Sequence, residues 1–135
     1  MKDCIFCKII KKEIPAEIIY ENKTTLAFLD INPVNPGHVL VIPKKHFSTL
    51  EETPQETLIE VIKTTKKLVP AINQSVNPIG INLGLNNKKG AGQLVPHIHL
   101  HIMPRFEGDK HKLLEGKKTQ PEQLKQVADK IKTFL

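Results

Sequence analysis

Pro96-His97-Ile98-His99-Leu100-His101-Ile102-Met103-Pro104-Arg105 carries three of the six histidines in a chain of 135 residues. Ile98, Leu100 and Ile102 alternate with the histidines, and strict alternation predicts a half-buried strand. On a strand, residues i, i+2 and i+4 share a face, so His97, His99 and His101 point one way and the apolar residues point to a core. Neighbouring imidazoles would lie about 6.5–7 Å apart along that face. A helix would scatter the three rings around its axis. Such a row admits three readings. His97 and His99 could chelate one metal ion with a third ligand from elsewhere. One neutral imidazole could act as a nucleophile, oriented by its neighbours. The third reading is a polar strand face without chemistry.

Working outward, residues 39–42 form a continuous apolar run, which predicts a central strand buried on both faces. Residues 18–21 and 25–31 read as strands around an Asn22-Lys23 turn, and residues 79–85 as another. Between them, Asn32 to Gly37 is a loop stiffened by Pro33 and Pro36 and freed by Gly37. Asp3 is placed to cap a short helix over residues 4–11. Thr53-Pro54-Gln55-Glu56 has capping-box form and opens a helix whose stripe is Leu58, Val61, Ile62, Leu68, Val69 and Ile72. Pro70 should kink or end it. Residues 86–93 form a polar, Gly-containing loop leading into the histidines, with neither a P-loop nor a dinucleotide fingerprint. A last helix starts near Thr119-x-x-Glu122, with Leu124, Val127, Ala128, Ile131 and Leu135 as its buried side. The sum is an α+β fold in one domain, 1–135: an antiparallel sheet of about five strands with helices to one side.

Composition is that of a globular protein, 39% hydrophobic and 25% charged, with no Trp. The core must therefore rest on Ile, Leu and Val. A net charge of +6 serves solubility first, and also suits phosphate-bearing ligands; no specific nucleic acid is expected. No apolar run reaches membrane-spanning length, and Met1-Lys2-Asp3-Cys4 does not open a signal peptide, so a cytoplasmic protein without membrane partners is expected. Cys4 and Cys7 form a Cys-x-x-Cys that reads as a zinc half-site, a redox pair or two small buried residues. A thioredoxin-like pair would need a βαβ context that is missing. Zinc would need two further ligands.

His97-x-His99-x-His101 with apolar spacers resembles the signature of the histidine triad (HIT) superfamily of nucleotide hydrolases and transferases. The run from Phe28 to His46, with Asp30, Asn32-Pro33 and Pro36-Gly37-His38 in it, resembles the family's N-terminal half, as does Ile5 to Ile10 with Glu13-Ile14-Pro15-Ala16. The resemblance spans residues 3–106. It implies a five-stranded antiparallel sheet with helices packed on it, extended across a homodimer.

The same resemblance implies nucleotide hydrolysis, with His99 as a nucleophile that forms a nucleotidyl-histidine and has its other ring nitrogen held by the His97 carbonyl. His101 would donate to the phosphate or leaving group, and His38 would stand behind it in a relay. Asp30 matches the acid that takes the ribose hydroxyls. Phe6, Ile9 and Phe28 match the wall of the base pocket, and Asn86, Gly92 and Gln93 match phosphate contacts. Some bacterial-type members bind structural zinc through positions matching Cys4, Cys7, His46 and His97. Pro104-Arg105 resembles the same members and the dinucleoside polyphosphate hydrolases. Leu94 stands where Ser or Thr is found in Hint and Fhit hydrolases, which leaves the proton donor to the leaving group open. The expected substrate is a purine nucleotide, either a dinucleoside polyphosphate or an adenylate conjugate. The alternatives are a metal-dependent hydrolase using His97 and His99 as ligands and a low-turnover nucleotide-binding module.

Overall fold

A computed structural model describes residues 3–111 and 116–135. Five strands form one sheet: β1 (Ile18–Glu21), β2 (Thr25–Leu29), β3 (Val39–Pro43), β4 (Gly80–Gly84) and β5 (Leu100–Arg105). Their order is β1-β2-β3-β5-β4, and every neighbouring pair is antiparallel. Three helices accompany them: α1 (Ile5–Ile10), α2 (Gln55–Val76) and α3 (Pro121–Thr133).

All five residues of β3 are buried, as its unbroken apolar run predicts. Its alternate residues feed two separate cores. Leu40 and Ile42 join Leu26, Phe28, Phe6, Ile9, Cys4 and Cys7 beneath α1. Val39 and Val41 join Ala27, Leu100, Ile102 and the Val61, Leu68 and Ile72 face of α2. The helices therefore cover both faces of the sheet, not one. A central strand apolar on both sides needs a cover on each, and α1 supplies the second. In the β3–β5 ladder Leu40 lies opposite His101 and Val39 opposite Ile102. Paired residues share a face, so the histidines stand on the α1 side and Ile102 on the α2 side.

Several local expectations change. Cys4, not Asp3, is the N-cap of α1, and its Sγ accepts the Cys7 N–H at 3.3 Å. The capping box at Thr53 is not made, because the Thr53 hydroxyl donates to the Thr49 carbonyl at 2.7 Å and Pro54 takes the cap position. Pro70 does not end α2, which runs on to Val76 and stops at Asn77 in the left-handed conformation. Ile62 is 55% exposed, outside the buried stripe of α2. The β5 ladder begins only at Leu100. Before it, the Ile98 N–H donates to the Phe47 carbonyl at 2.7 Å, which leaves His97 and His99 on an extended lead-in segment.

The largest departure is α3. Leu124, Val127 and Ile131 are 59, 56 and 56% exposed and Leu135 is 98% exposed; Ala128 is exposed as well. The helix has the apolar stripe expected of it, but no described part of this chain covers that stripe. Edge strand β4 is similarly open, with Leu83 at 53%. Among the described residues no helix is long and apolar enough to cross a membrane.

Candidate active site and metal centre

Hydrogen bonds with backbone partners fix the ring tautomers. A carbonyl can only accept, so the 2.7 Å contact of His99 Nδ1 with the His97 carbonyl puts the proton on Nδ1. His99 Nε2 is then a lone pair. At His38 the logic runs in reverse: the Val34 N–H donates to Nδ1 at 3.0 Å, so the ring proton is on Nε2. That N–H lies 2.9 Å from His101 Nδ1, which must accept it. His101 therefore carries its own proton on Nε2. The rings of His99 and His101 sit 4.9 Å apart between centroids, closer than the ideal strand spacing, with their planes at 59°. One ring thus offers a lone pair and its neighbour an N–H, the two functions that displacement at a phosphorus atom uses.

Burial holds this arrangement neutral. It pushes His38 and His99 below the ordinary imidazole value, against the raising influence of Asp30 nearby. His101 falls to about 4, through burial first and then the neighbouring His99 and His38. Asp30 lies with one carboxylate oxygen 3.5 Å from His38 Nε2, while the other accepts the Asn32 N–H at 2.9 Å. Phe6 packs edge-on against His99 at 5.1 Å and against Phe28 at 5.3 Å, and Ile9 shares their buried cluster.

Seven of the expected residues, Asp30, His38, His99, His101, Phe6, Phe28 and Ile9, are thus brought together. Asn86, Gly92 and Gln93 form a cluster of their own. Asn86 Nδ2 donates to the Gly92 carbonyl, and the Gly92 and Gln93 N–H groups turn back onto the Lys89 and Lys88 carbonyls. The Gln93 side chain is 7% exposed and ties this loop to the Ser48 carbonyl and the Lys88 N–H. Leu94 is 90% exposed and offers no hydroxyl. A cavity of 340 Å³ between the β1–β2 turn, the end of β3 and the start of α2 is lined by no triad histidine. The imidazole geometry, not that cavity, marks the chemistry.

Beside the triad, Cys4, Cys7, His46 and His97 converge, with their ligand atoms all within 4.8 Å of one another. His97 Nε2 donates to the Pro43 carbonyl at 2.8 Å, so its Nδ1 is a lone pair, and that atom faces the cluster. It lies 3.4 Å from Cys4 Sγ, 3.6 Å from Cys7 Sγ and 3.2 Å from His46 Nδ1, with Cys7 Sγ to His46 Nδ1 at 3.4 Å. Ligands at zinc distances of about 2.3 Å for S and 2.0–2.1 Å for N, tetrahedrally arranged, would be about 3.3–3.8 Å apart. The donor set and its spacing fit zinc. Without a cation, burial and the adjacent Cys4 push the Cys7 thiol up to about 11; a bound dication reverses that balance and deprotonates a coordinating thiol. A site pairing His97 with His99 does not form: among the described residues no metal-capable cluster contains both. The Asp30, His38 and His101 group is also close, but His38 Nε2 carries a proton there.

Sequence reasoning missed the Asn35–Arg105–Asp109 network and the Pro43 carbonyl. Arg105 grips Asp109 through Nε and Nη2, each at 2.8 Å. Their i, i+4 spacing was readable, but it has that meaning only on a helix, and these residues are on a strand and its turn.

Neutral, oppositely poised imidazoles on β5 and its lead-in, beside a Cys2His2 cluster, make a histidine-lined site. The HIT domain model matches residues 11–108, and the chain belongs to the HIT family. An uncharacterized HIT-like protein of Methanocaldococcus jannaschii is 52% identical over 106 residues, covering 78% of this chain and 81% of its own. The adenosine 5'-monophosphoramidase hnt1 of Schizosaccharomyces pombe is 42% identical over 102 residues, covering 76% and 74%. The crystal structure of a Zn-bound histidine triad family protein from Mycobacterium smegmatis superposes with a TM-score of 0.77 at 34% identity, over 99% of each chain.

Proposed function

We propose that this protein hydrolyses purine nucleotide conjugates, phosphoramidates or phosphoanhydrides, through a covalent nucleotidyl-histidine at His99. The observation that carries the reading is the 2.7 Å bond from His99 Nδ1 to the His97 carbonyl, which leaves Nε2 free to attack. Nε2 bonds to phosphorus as the P–N or P–O bond to the leaving group breaks. His101 Nε2–H donates to a phosphate oxygen or to the leaving group's oxygen or nitrogen as charge develops there. Water then attacks the same phosphorus, the N–P bond breaks, and the nucleoside monophosphate leaves. Asp30 takes the ribose, and Phe6, Ile9 and Phe28 flank the base. The fungal relative's name, an adenosine 5'-monophosphoramidase, supports a P–N substrate.

The reading includes a structural zinc held by Cys4, Cys7, His46 and His97, with all four positions filled by protein and none left for chemistry. The Mycobacterium smegmatis neighbour, described as Zn-bound, supports it. It also includes a homodimer joined along β4, whose edge would otherwise be open to pairing, and a reducing, cytoplasmic setting that suits the free thiols. Leu94 favours a slower second reading, a nucleotide-binding module with little turnover, because no hydroxyl stands there to protonate a leaving group.

Quenched turnover of adenosine phosphoramidate and of a dinucleoside polyphosphate decides between these readings. The first expects an acid-labile nucleotidyl adduct on the wild-type chain and none on His99→Ala, with turnover lowered by several orders of magnitude and nucleotide affinity little changed. Equal turnover in the two proteins would end the covalent mechanism.

A further inference from the structure

Asp109 is unusual for a loop carboxylate. Its side chain is 5% exposed, and its two oxygens accept from Arg105 Nε, Arg105 Nη2, Asn35 Nδ2 and the N–H groups of Phe106 and His111. Four of these five bonds fasten the turn that follows β5. The fifth does not: Asn35 lies on the loop between β2 and β3, and its two amide hydrogens are spent on the end of β5 and on the turn after it. One goes to Asp109 Oδ2 at 2.7 Å and the other to the Pro104 carbonyl at 2.9 Å. Arg105 is in turn held to Asn82 of β4 through Nη1 at 3.1 Å, so the clamp is braced on the sheet.

What the clamp holds is the turn carrying His38. The Asn35 carbonyl accepts the His38 N–H at 3.2 Å, and the adjoining Val34 N–H is the donor to His38 Nδ1 at 3.0 Å. A shift of Val34 by about 1 Å takes that bond beyond hydrogen-bonding distance. The consequence is chemical and not only mechanical. With Nδ1 no longer held as an acceptor, His38 can move its proton there, leaving a lone pair on Nε2. Two lone pairs 2.9 Å apart across His38 and His101 repel, so His101 must move its own proton to Nδ1. His101 Nε2, the atom nearest the proposed reaction, then changes from donor to acceptor.

We propose that Asp109, gripped by Arg105 and reaching the His38 turn through Asn35, is a positioning residue that sets which nitrogen of His38 and His101 carries the proton. None of the three is a catalytic residue, since they act through His38. The consequence for turnover rests on the nucleotidyl-hydrolase reading; the consequence for the rings does not.

The test is long-range 1H–15N correlation of the histidine rings in the full-length, zinc-loaded protein, with steady-state kinetics on the same samples. Wild type should show His38 and His101 as pure Nε2–H tautomers. Asn35→Ala and Asp109→Asn should show mixed tautomers at both rings, as should Val34→Pro, which deletes the N–H itself. In the first two, kcat should fall about 10- to 100-fold, as when a partner orienting a functional histidine is removed, with KM within about threefold. Wild-type ring shifts in folded Asn35→Ala would overturn the proposal and reduce the clamp to a turn fastener, whatever happens to the melting temperature. Should Asp109→Asn not fold, Asn35→Ala and the milder Asn35→Ser, which spare the Arg105–Asp109 pair, decide alone. A wild type with the stated tautomers but no turnover would remove the hydrolase reading and leave the clamp standing.

Discussion

Replacing Cys7 by Ser separates a structural metal from a catalytic one. Cys7 Sγ lies 3.4 Å from His46 Nδ1 and 3.6 Å from His97 Nδ1, so its loss opens a four-ligand site on the side of both imidazoles. Those ligands come from α1, from the segment after β3 and from the lead-in to β5, three pieces of chain up to 93 residues apart. Metal that joins them binds the folded chain and not the unfolded one. At free zinc about 1,000-fold above the dissociation constant it adds about 4 kcal/mol. For a domain of this size, each kcal/mol moves the melting temperature by about 3–5 °C, so the apo chain should melt about 12–20 °C lower. The assay is thermal unfolding with and without chelator, paired with metal analysis of the same samples. Wild type should hold about one zinc per chain and lose stability on chelation; Cys7→Ser should hold little zinc and be indifferent to chelator. If Cys7→Ser keeps its zinc and its melting temperature while His99→Ala loses the metal, the site has been misassigned and the metal-free mechanism goes with it.

The His101 imidazole, pressed to about 4 by burial, makes a prediction about acid. Its folded value is below the unfolded one near 6.5, so the unfolded chain binds the proton first: stability is full above about pH 6.5 and falls as pH drops toward 4, by at most about 3 kcal/mol from this ring. Urea melts at pH 7.5 and 5 would measure the loss, and His101→Gln should flatten part of it; equal stability in wild type at both pH values contradicts the buried, neutral assignment. Leu83→Lys on the open edge of β4 should turn a dimer into a monomer by sedimentation while leaving the monomer folded; an unchanged sedimentation coefficient would mean the subunits meet elsewhere. Ile102 is fully buried beneath α2, so Ile102→Ala should cost about 2–5 kcal/mol of unfolding free energy, and a loss under about 1 kcal/mol would contradict that packing.

The sheet was legible because its signals are local and periodic. The apolar run of β3 and the alternation at His97 to Ile102 each state which way side chains point, and together they place the histidines. The convergence of Cys4 and Cys7 with His46 and His97 followed only from family resemblance, since nothing in a Cys-x-x-Cys says which distant imidazoles will meet it. What stayed hidden depended on partners far along the chain. Amphipathicity in α3 says that Leu124, Val127 and Ile131 have a face to bury, not what will bury it. Thr53 and Asp3 satisfied the capping rules, but Thr53 found a nearer acceptor and Cys4 supplied the cap sulfur instead. Asn35 and Asp109 are ordinary loop residues by composition; their 74-residue separation conceals a hydrogen bond of 2.7 Å.

His97 serves two neighbours with two different parts of itself. Its ring faces the sulfur cluster, while its main-chain oxygen fixes the proton of His99. The second service does not depend on residue type, because every amino acid carries that oxygen. The ligand set can therefore drift, with Cys, Asp or an apolar residue in place of the ring, without rewriting the tautomer of His99, provided the backbone holds its course. On the proposed reading, metal preference and reactivity are separable traits lodged in one residue, and a lineage could lose a metal at this cluster while keeping the orientation of the His99 imidazole.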